Sequence, residues 1–287
     1  MESEGHQGPD WRALPANVLT LINLGAGALV CWWAASEFDL GWAPAEWLES
    51  IGLLDPWMAL TGATERRVAG LGWMLVVWMT GQLCDLLDGA VARKMGAEGP
   101  QGAMLDAMAD LVSAGLAPAF VGMALMMEWQ AMGLMPDAFW WATILPLGVV
   151  MAAAWRLARF SRQAVSGHGG SDLGRFDFAG IPAPFAALYW GGLVWAWLNC
   201  DGLGCPWLWI AGMAGATLLP IGMASTWPQL GFKHWGEERW WDVARMAWLG
   251  TALTSGLVGG PAGVVLALIS YPLFGPATRW FRPLHPH

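Results

Sequence analysis

The sequence predicts an all-α, polytopic membrane bundle of about eight transmembrane helices, a six-helix core with two helices added at the C-terminus. Three observations lead there. Of 287 residues, 56% are hydrophobic and only 13% are charged, too little solubilising charge for a soluble globular or disordered chain. Mean hydropathy is +0.44, so lipid rather than a folded core receives most of the apolar surface. Apolar runs of near-membrane length also recur from Val18 to Phe274. The lipid bilayer is therefore an obligatory partner. A formal charge of -8 without a basic stripe excludes nucleic acid.

A helix needs roughly 20 apolar residues to cross about 30 Å of hydrocarbon. By that measure the spans fall near 17–35, 68–88, 103–127, 138–160, 182–199, 206–225, 243–259 and 261–276. The first follows a polar, acidic N-terminal stretch and has no small-residue cleavage site behind it, so it is expected to remain as a span. Between the first two spans lies an insertion, 36–66, carrying Trp42, Trp47 and Trp57 at its polar edges. These rings are expected at headgroup depth. Gly259, Gly260 and Pro261 leave a very tight turn between the last two spans, where a re-entrant hairpin would also fit. With no repeat and no low-complexity linker, residues 1–287 read as a single integral membrane domain, the segment 242–276 supplying the additional C-terminal helices.

Placing the N-terminus in the cytoplasm puts twelve of the 14 basic residues on that side, which sets the expected orientation in a cell inner membrane. Arg66 and Arg67 are the exceptions, outside at the start of the second span. Cys200 and Cys205 flank a polar turn, NCDGLGC, and either pair in an oxidising compartment or stay as thiols. The five histidines are scattered without ligand spacing, and the stretch GHGGSDLG, Gly167 to Gly174, reads as a flexible loop near a substrate entrance.

Ionisable residues inside or at the end of membrane helices are costly and mark function. They concentrate in CDLLDGAVARKMGAEGPQGAMLDAMAD. Asp85 and Asp88 are three apart, Asp106 and Asp110 four apart, and each spacing puts its pair on one helix face. Gly96, Gly99 and Pro100 reverse the chain between the two helices, so four carboxylates are expected to converge at the cytoplasmic surface. An all-carboxylate donor set selects hard divalent cations, Mg²⁺ or Mn²⁺, and four aspartates suffice for two ions in a shared site that clamps a transferring phosphoryl group. Gly89 and Ala92 permit close approach by a ligand or equally by another helix, and Arg93 offers a bidentate cation for a phosphate or a base edge. A cation pathway lined by the same aspartates is the alternative outside enzymology.

At these residues the sequence resembles the CDP-alcohol phosphotransferase family, whose motif D-x2-D-G-x2-A-R-x8-G-x3-D-x3-D is matched by Asp85, Asp88, Gly89, Ala92, Arg93, Gly102, Asp106 and Asp110 with every spacer length kept. The resemblance implies a helical membrane enzyme in which the four aspartates bind two metals, the Gly, Ala and Arg positions receive the CDP moiety, and Asp110 acts as general base. It also suggests a homodimer. Within the family, three further stretches are similar to the serine O-phosphatidyltransferase branch. They are PANVLTLINLGAG from Pro15, with Ala16 interposed before Asn17; RLARF, Arg156 to Phe160, followed by FAGIPAPFAA; and MASTWPQLGFK from Met223. Ser161 stands where the branch commonly has Asn, and Ile181 and Ala183 replace Leu and Thr.

What the resemblance implies is transfer of the phosphatidyl group from CDP-diacylglycerol to the hydroxyl of L-serine, with release of CMP. Glycerol 3-phosphate, inositol phosphate or choline as acceptor leaves the chemistry unchanged. Asn17 and Thr20, on one face at the mouth of the first span, are candidates to hydrogen-bond the nucleotide or diphosphate, although Asn17 equally suits a helix cap. Arg156 and Arg159, three apart on one helix face, are candidates for the acceptor carboxylate or a lipid phosphate; anchoring at the membrane surface is the alternative.

Overall fold

The computed structural model describes residues 11–36, 42–97, 99–165, 177–199, 205–231 and 239–280. Helix α1 (Leu14–Ala35) starts with Pro15 in its first turn, where a missing N–H costs nothing. The insertion folds as two short helices, α2 (Trp42–Ser50) and α3 (Leu54–Thr61), laid against the first turns of α4 (Arg66–Met95). The rings of Trp47 and Trp57 both pack on Trp73 of α4, at centroid separations of 6.2 and 5.3 Å. The indole N–H of Trp57 donates to Ala69 O at 2.9 Å. These two expected headgroup anchors thus fasten the insertion to the bundle.

Helix α4 ends on Gly96, left-handed at φ 60°, and its last carbonyls accept from Gly96 N and Ala97 N. Pro100 then opens α5 (Pro100–Asp110), so the reversal foreseen from Gly96, Gly99 and Pro100 is present. A π-helical turn, Leu111–Leu116, follows directly and leads into α6 (Ala117–Ala131), the whole forming one apolar rod of 32 residues. After a 3₁₀ turn at Asp137–Ile144 come α7 (Leu147–Val165), α8 (Ala183–Leu198) and α9 (Trp207–Ala224).

The last helix, α10 (Arg239–Trp280), is two arms joined at Gly260, whose φ of 55° and ψ of -138° are non-helical and unavailable to most residues. The arms fold back on one another: Trp240 Nε1 donates to Thr278 O across 38 residues of sequence. Among the described residues, six helical stretches are long and apolar enough to span a membrane, Arg239–Thr278 counted once, and Ala183–Leu198 is a shorter seventh. Counting each arm of α10 separately gives eight apolar rods. The expected all-α membrane bundle is the observed one, with one addition. Strands β1 (Asp177–Ala179) and β2 (Pro228–Leu230) pair antiparallel, Phe178 opposite Gln229.

The core is built on large aromatics set into notches. Trp33, Trp78, Trp129 and Trp190 are fully buried. Gly122 lies against the Trp190 ring and Gly212 against that of Trp129, close enough that an added Cβ would clash. Small residues therefore let the helices approach where lipid provides no hydrophobic drive between them. The two arginines that break the positive-inside pattern are both paired: Arg66 with Glu49 of the insertion, and Arg67 with the buried Glu128 at the far end of α6. Cys205 is disulfide-bonded, while Cys31 and Cys84 are free thiols. Cys200, the five histidines and the stretch 167–174 lie outside the described residues.

Candidate active site

Four helices supply the site. Because the chain reverses within 96–99, the end of α4 and the start of α5 lie side by side, with α1 packed along both. Carboxylate oxygens of Asp85, Asp88 and Asp106 lie within 4.8 Å of one another. Asp110, one turn beyond Asp106, lies close enough to Asp85 and Asp106 for their carboxyl groups to interact. Carboxylates brought together in this way repel one another unless a proton or a cation lies between them. One oxygen, Asp110 Oδ1, is buried without a hydrogen-bond partner. An all-oxygen cluster of this kind, with an orphaned buried oxygen beside it, fits a hard divalent cation.

Helix α1 orients the acids. Asn23, fully buried, donates its amide N–H to Asp85 Oδ1 at 2.7 Å. The Thr20 hydroxyl is 2.5 Å from Asp88 Oδ2 and 3.1 Å from Ala16 O. With one proton to give, it donates to the nearer, charged acceptor. Thr20 therefore holds a carboxylate as well as lining the site. Asn23 was absent from the residues singled out by sequence, although it continues the spacing of Asn17 and Thr20 on the same helix face and sits inside the stretch PANVLTLINLGAG.

Beside the cluster opens a cavity of about 220 Å³ lined by Asn17, Thr20, Asp88, Gly89, Ala92, Arg93, Gly102 and Asp106, among others. The glycines separate into two kinds. A Cβ on Gly27 would lie 2.5 Å from Ser113 Cα, and one on Gly81 2.8 Å from Ala26 Cβ, so those two serve helix packing. A Cβ on Gly89 would meet only Arg93 Nη1, at 3.4 Å, and one on Gly102 only Asn17 Oδ1, at 3.7 Å. No packing neighbour demands glycine at these positions. The space they leave belongs to the cavity, which favours the ligand reading of Gly89 over simple helix packing.

The π-helical turn begins immediately after Asp110 and is held from two sides. Trp78 Nε1 donates to Ser113 O at 2.9 Å, and Gly27 admits the Ser113 backbone. A π turn inside a helix re-aims the face that follows it and is frequent at functional sites. Nothing in local composition flagged it.

The two arginines of α7 part company. Arg159 donates to Ala224 O, Ser225 O and Ala179 O at 3.3, 3.1 and 3.0 Å, tying α7 to the end of α9 and to β1. Arg156 lies within Coulombic range of Asp110, and its Nε is buried without a partner. Of the pair proposed from sequence, Arg159 is engaged by backbone, while Arg156 makes no such bond and lies within Coulombic range of Asp110.

A family model described as CDP-alcohol phosphatidyltransferase matches residues 13–227. CDP-diacylglycerol–serine O-phosphatidyltransferase of Mycobacterium leprae (strain TN) is 39% identical over 107 residues, which cover 37% of this chain and 32% of that relative. The chain thus matches about a third of the relative's length.

Proposed function

From the premise that the chain belongs to the CDP-alcohol phosphatidyltransferase family, we propose that it transfers the phosphatidyl group of CDP-diacylglycerol to the hydroxyl of L-serine, giving phosphatidylserine and CMP. The observation that carries this reading is the contact of Asp110 with Asp85 at the edge of a three-aspartate cluster that opens onto the cavity of Gly89 and Arg93. The serine assignment is supported by the partial likeness to the mycobacterial enzyme and by the arrangement on α7. Among the described residues, the Arg156 guanidinium lies within Coulombic range of Asp110, while Arg159 is taken up by backbone carbonyls. One such fork matches the carboxylate of an amino-acid acceptor.

Asp85, Asp88, Asp106 and Asp110 would hold two divalent cations, Mg²⁺ or Mn²⁺. When bound, these supply Lewis-acid stabilisation of the diphosphate and of the charge that builds on departing CMP. Asn17, Gly89, Ala92, Arg93 and Gly102 form the floor against which the nucleotide lies, Arg93 pairing with its phosphate. Asp110 accepts the proton of the serine hydroxyl as the new O–P bond forms at the phosphorus bearing diacylglycerol and the P–O bond to CMP breaks. Asn23 and Thr20 keep the acids in place, so little reorganisation is needed as charge shifts.

The aspartates face the cytoplasm of a cell inner membrane in this reading. The topology expected from sequence puts twelve of the 14 basic residues at that end, and disulfide-bonded Cys205 precedes α9, whose 18 residues span about 27 Å. A homodimer is part of the proposal on family resemblance alone.

The test is CMP release from CDP-diacylglycerol by the purified protein with L-serine, glycerol 3-phosphate, inositol phosphate or choline, repeated with Asp110→Asn and with chelator. Serine-dependent release that chelation abolishes is expected, and Asp110→Asn should lower it by roughly 10²- to 10⁴-fold. Release driven by another alcohol would reassign the acceptor, and release from none of them would end the reading.

A further inference from the structure

Three sequence stretches stand apart from the aspartate cluster: RLARF with Arg156, FAGIPAPFAA with Phe185, and MASTWPQLGFK with Leu230. In the fold one side chain from a fourth region contacts the second and third and lies within Coulombic range of the first. Tyr271, on the second arm of α10, is buried at 4% exposure. Its hydroxyl donates to Leu230 O of β2 at 2.9 Å. Its ring stacks on Phe185 of α8 at 5.0 Å, 25° between planes, and meets Trp248 of the first arm edge-on at 5.2 Å. It also lies within Coulombic range of Arg156.

The surrounding contacts make this a clamp. Arg245, fully buried, donates Nε–H to Gly231 O at 2.6 Å, next to the carbonyl that Tyr271 holds. Gly275 lies against the Pro228 carbonyl with no room for a side chain. Strand β2 is thus pinned along its length by α10, and it pairs with β1, whose Ala179 O accepts from Arg159. Arg159 stands one helical turn beyond Arg156 on α7. Both α10 and β2 lie past the region 13–227 that the family model matches.

We infer that Tyr271 is a positioning residue for the acceptor half of the site: through Phe185, Leu230 and the β1–β2 pair it fixes the end of α7 and so the guanidinium of Arg156 opposite Asp110. This rests on the transferase reading above. A buried tyrosine that merely stabilised the bundle would have no preference between the two substrates. A positioning role separates them, because the described residues that line the nucleotide cavity belong to α1, α4, α5 and the turn between the last two, and none of them is part of this clamp.

Tyr189 supplies the control. It too is a buried tyrosine donating to a backbone carbonyl, but its acceptor is Ala211 O of α9, at 2.7 Å, rather than a carbonyl of β2. Tyr271→Phe and Tyr189→Phe are compared as full-length protein in lipid–detergent micelles, measuring KM for L-serine, KM for CDP-diacylglycerol and Tm. Tyr271→Phe is expected to raise the serine KM roughly three- to tenfold, the scale of one lost hydrogen bond, with the CDP-diacylglycerol KM within about twofold of wild type. Tyr189→Phe is expected to lower Tm comparably and leave the serine KM alone. An unchanged serine KM in Tyr271→Phe, or an equal rise in Tyr189→Phe, overturns the inference. Should Tyr271→Phe fail to fold, Phe185→Leu loosens the same ring without touching its hydroxyl and carries the same expectation and the same refutation. Absence of acceptor-dependent CMP release from wild type would overturn the transferase reading as well, whereas normal release with an unsplit KM overturns this inference alone.

Discussion

Asn23 on α1 donates its amide to Asp85 on α4 across a distance of 2.7 Å, at a position with no exposure to solvent. The bond fixes which Asp85 oxygen is turned toward α1 and which toward the other acids. It also ties α1 to α4 at this depth, since a buried amide has to be hydrogen-bonded, and the Asn23 Oδ1 accepts from Gln82 Nε2 of the same helix α4 at 3.5 Å.

Asn23→Leu should therefore act on the acids before it acts on the fold. Losing an oriented donor to a buried carboxylate costs about 1.5–3 kcal/mol, some ten- to hundredfold in transfer rate if the transition state relies on it. Activity titrated against Mn²⁺ should show the half-saturating concentration rising in the variant. An unchanged Mn²⁺ requirement would mean that Asp85 is oriented by something other than α1.

The two kinds of glycine make a paired prediction. Gly89→Ala adds a methyl where the protein offers open space, so Tm should stay within about 1–2 °C of wild type while CDP-diacylglycerol KM rises by an order of magnitude. Gly27→Ala drives a methyl into the Ser113 backbone and should cost about 1–3 kcal/mol of stability through overpacking. Thermal unfolding alongside substrate kinetics distinguishes them. Equal Tm losses in the two variants would return Gly89 to helix packing.

Half-buried Arg67 pairs with the buried Glu128, so in the orientation expected from sequence one of the two arginine charges that break the positive-inside pattern is neutralised between α4 and α6. Breaking it from one side leaves an uncompensated charge, and Glu128→Ala should destabilise by about 3–5 kcal/mol. Replacing both partners with apolar residues, Arg67→Met with Glu128→Met, should recover most of the loss. Tm values for the single and double variants in one detergent decide it; additive losses would show that the pairing contributes nothing.

The long apolar rods and the aspartate spacing were legible because both rest on local rules, membrane thickness and helical periodicity. The reversal at Gly96 was legible for the same reason, glycine and proline being local punctuation. The π turn after Asp110 was not, because it is imposed by Trp78 and Gly27 from other helices. The partners of Arg66 and Arg67 were hidden likewise, one in the insertion and one some 60 residues downstream. Strands β1 and β2 are three residues each and 49 positions apart at their closest residues, too short to carry an alternating pattern. The roles of Arg156 and Arg159 could not be divided by sequence either, since spacing put them on one face and only the carbonyls at 179, 224 and 225 tell them apart.

That division yields the last prediction. Arg159 spends its guanidinium on three carbonyl oxygens that close α9 and β1, so Arg159→Gln should leave them short of donors and lower stability by about 1–3 kcal/mol. Its effect on the serine KM should follow only from the loosened end of α7. Arg156→Gln removes a guanidinium with no comparable backbone role and an Nε that is buried without a partner. Its Tm should fall by less than that of Arg159→Gln, because it forfeits an attraction to Asp110 but no backbone hydrogen bond. Its serine KM should climb by about tenfold or more, the scale of a charge-assisted hydrogen bond. Arg156→Lys tests the geometry of the contact rather than its charge, since a point ammonium lacks the planar fork that grips a carboxylate through two parallel bonds. A lysine variant with wild-type serine KM would show that Arg156 contributes field alone, and a glutamine variant with wild-type serine KM would remove it from acceptor binding altogether.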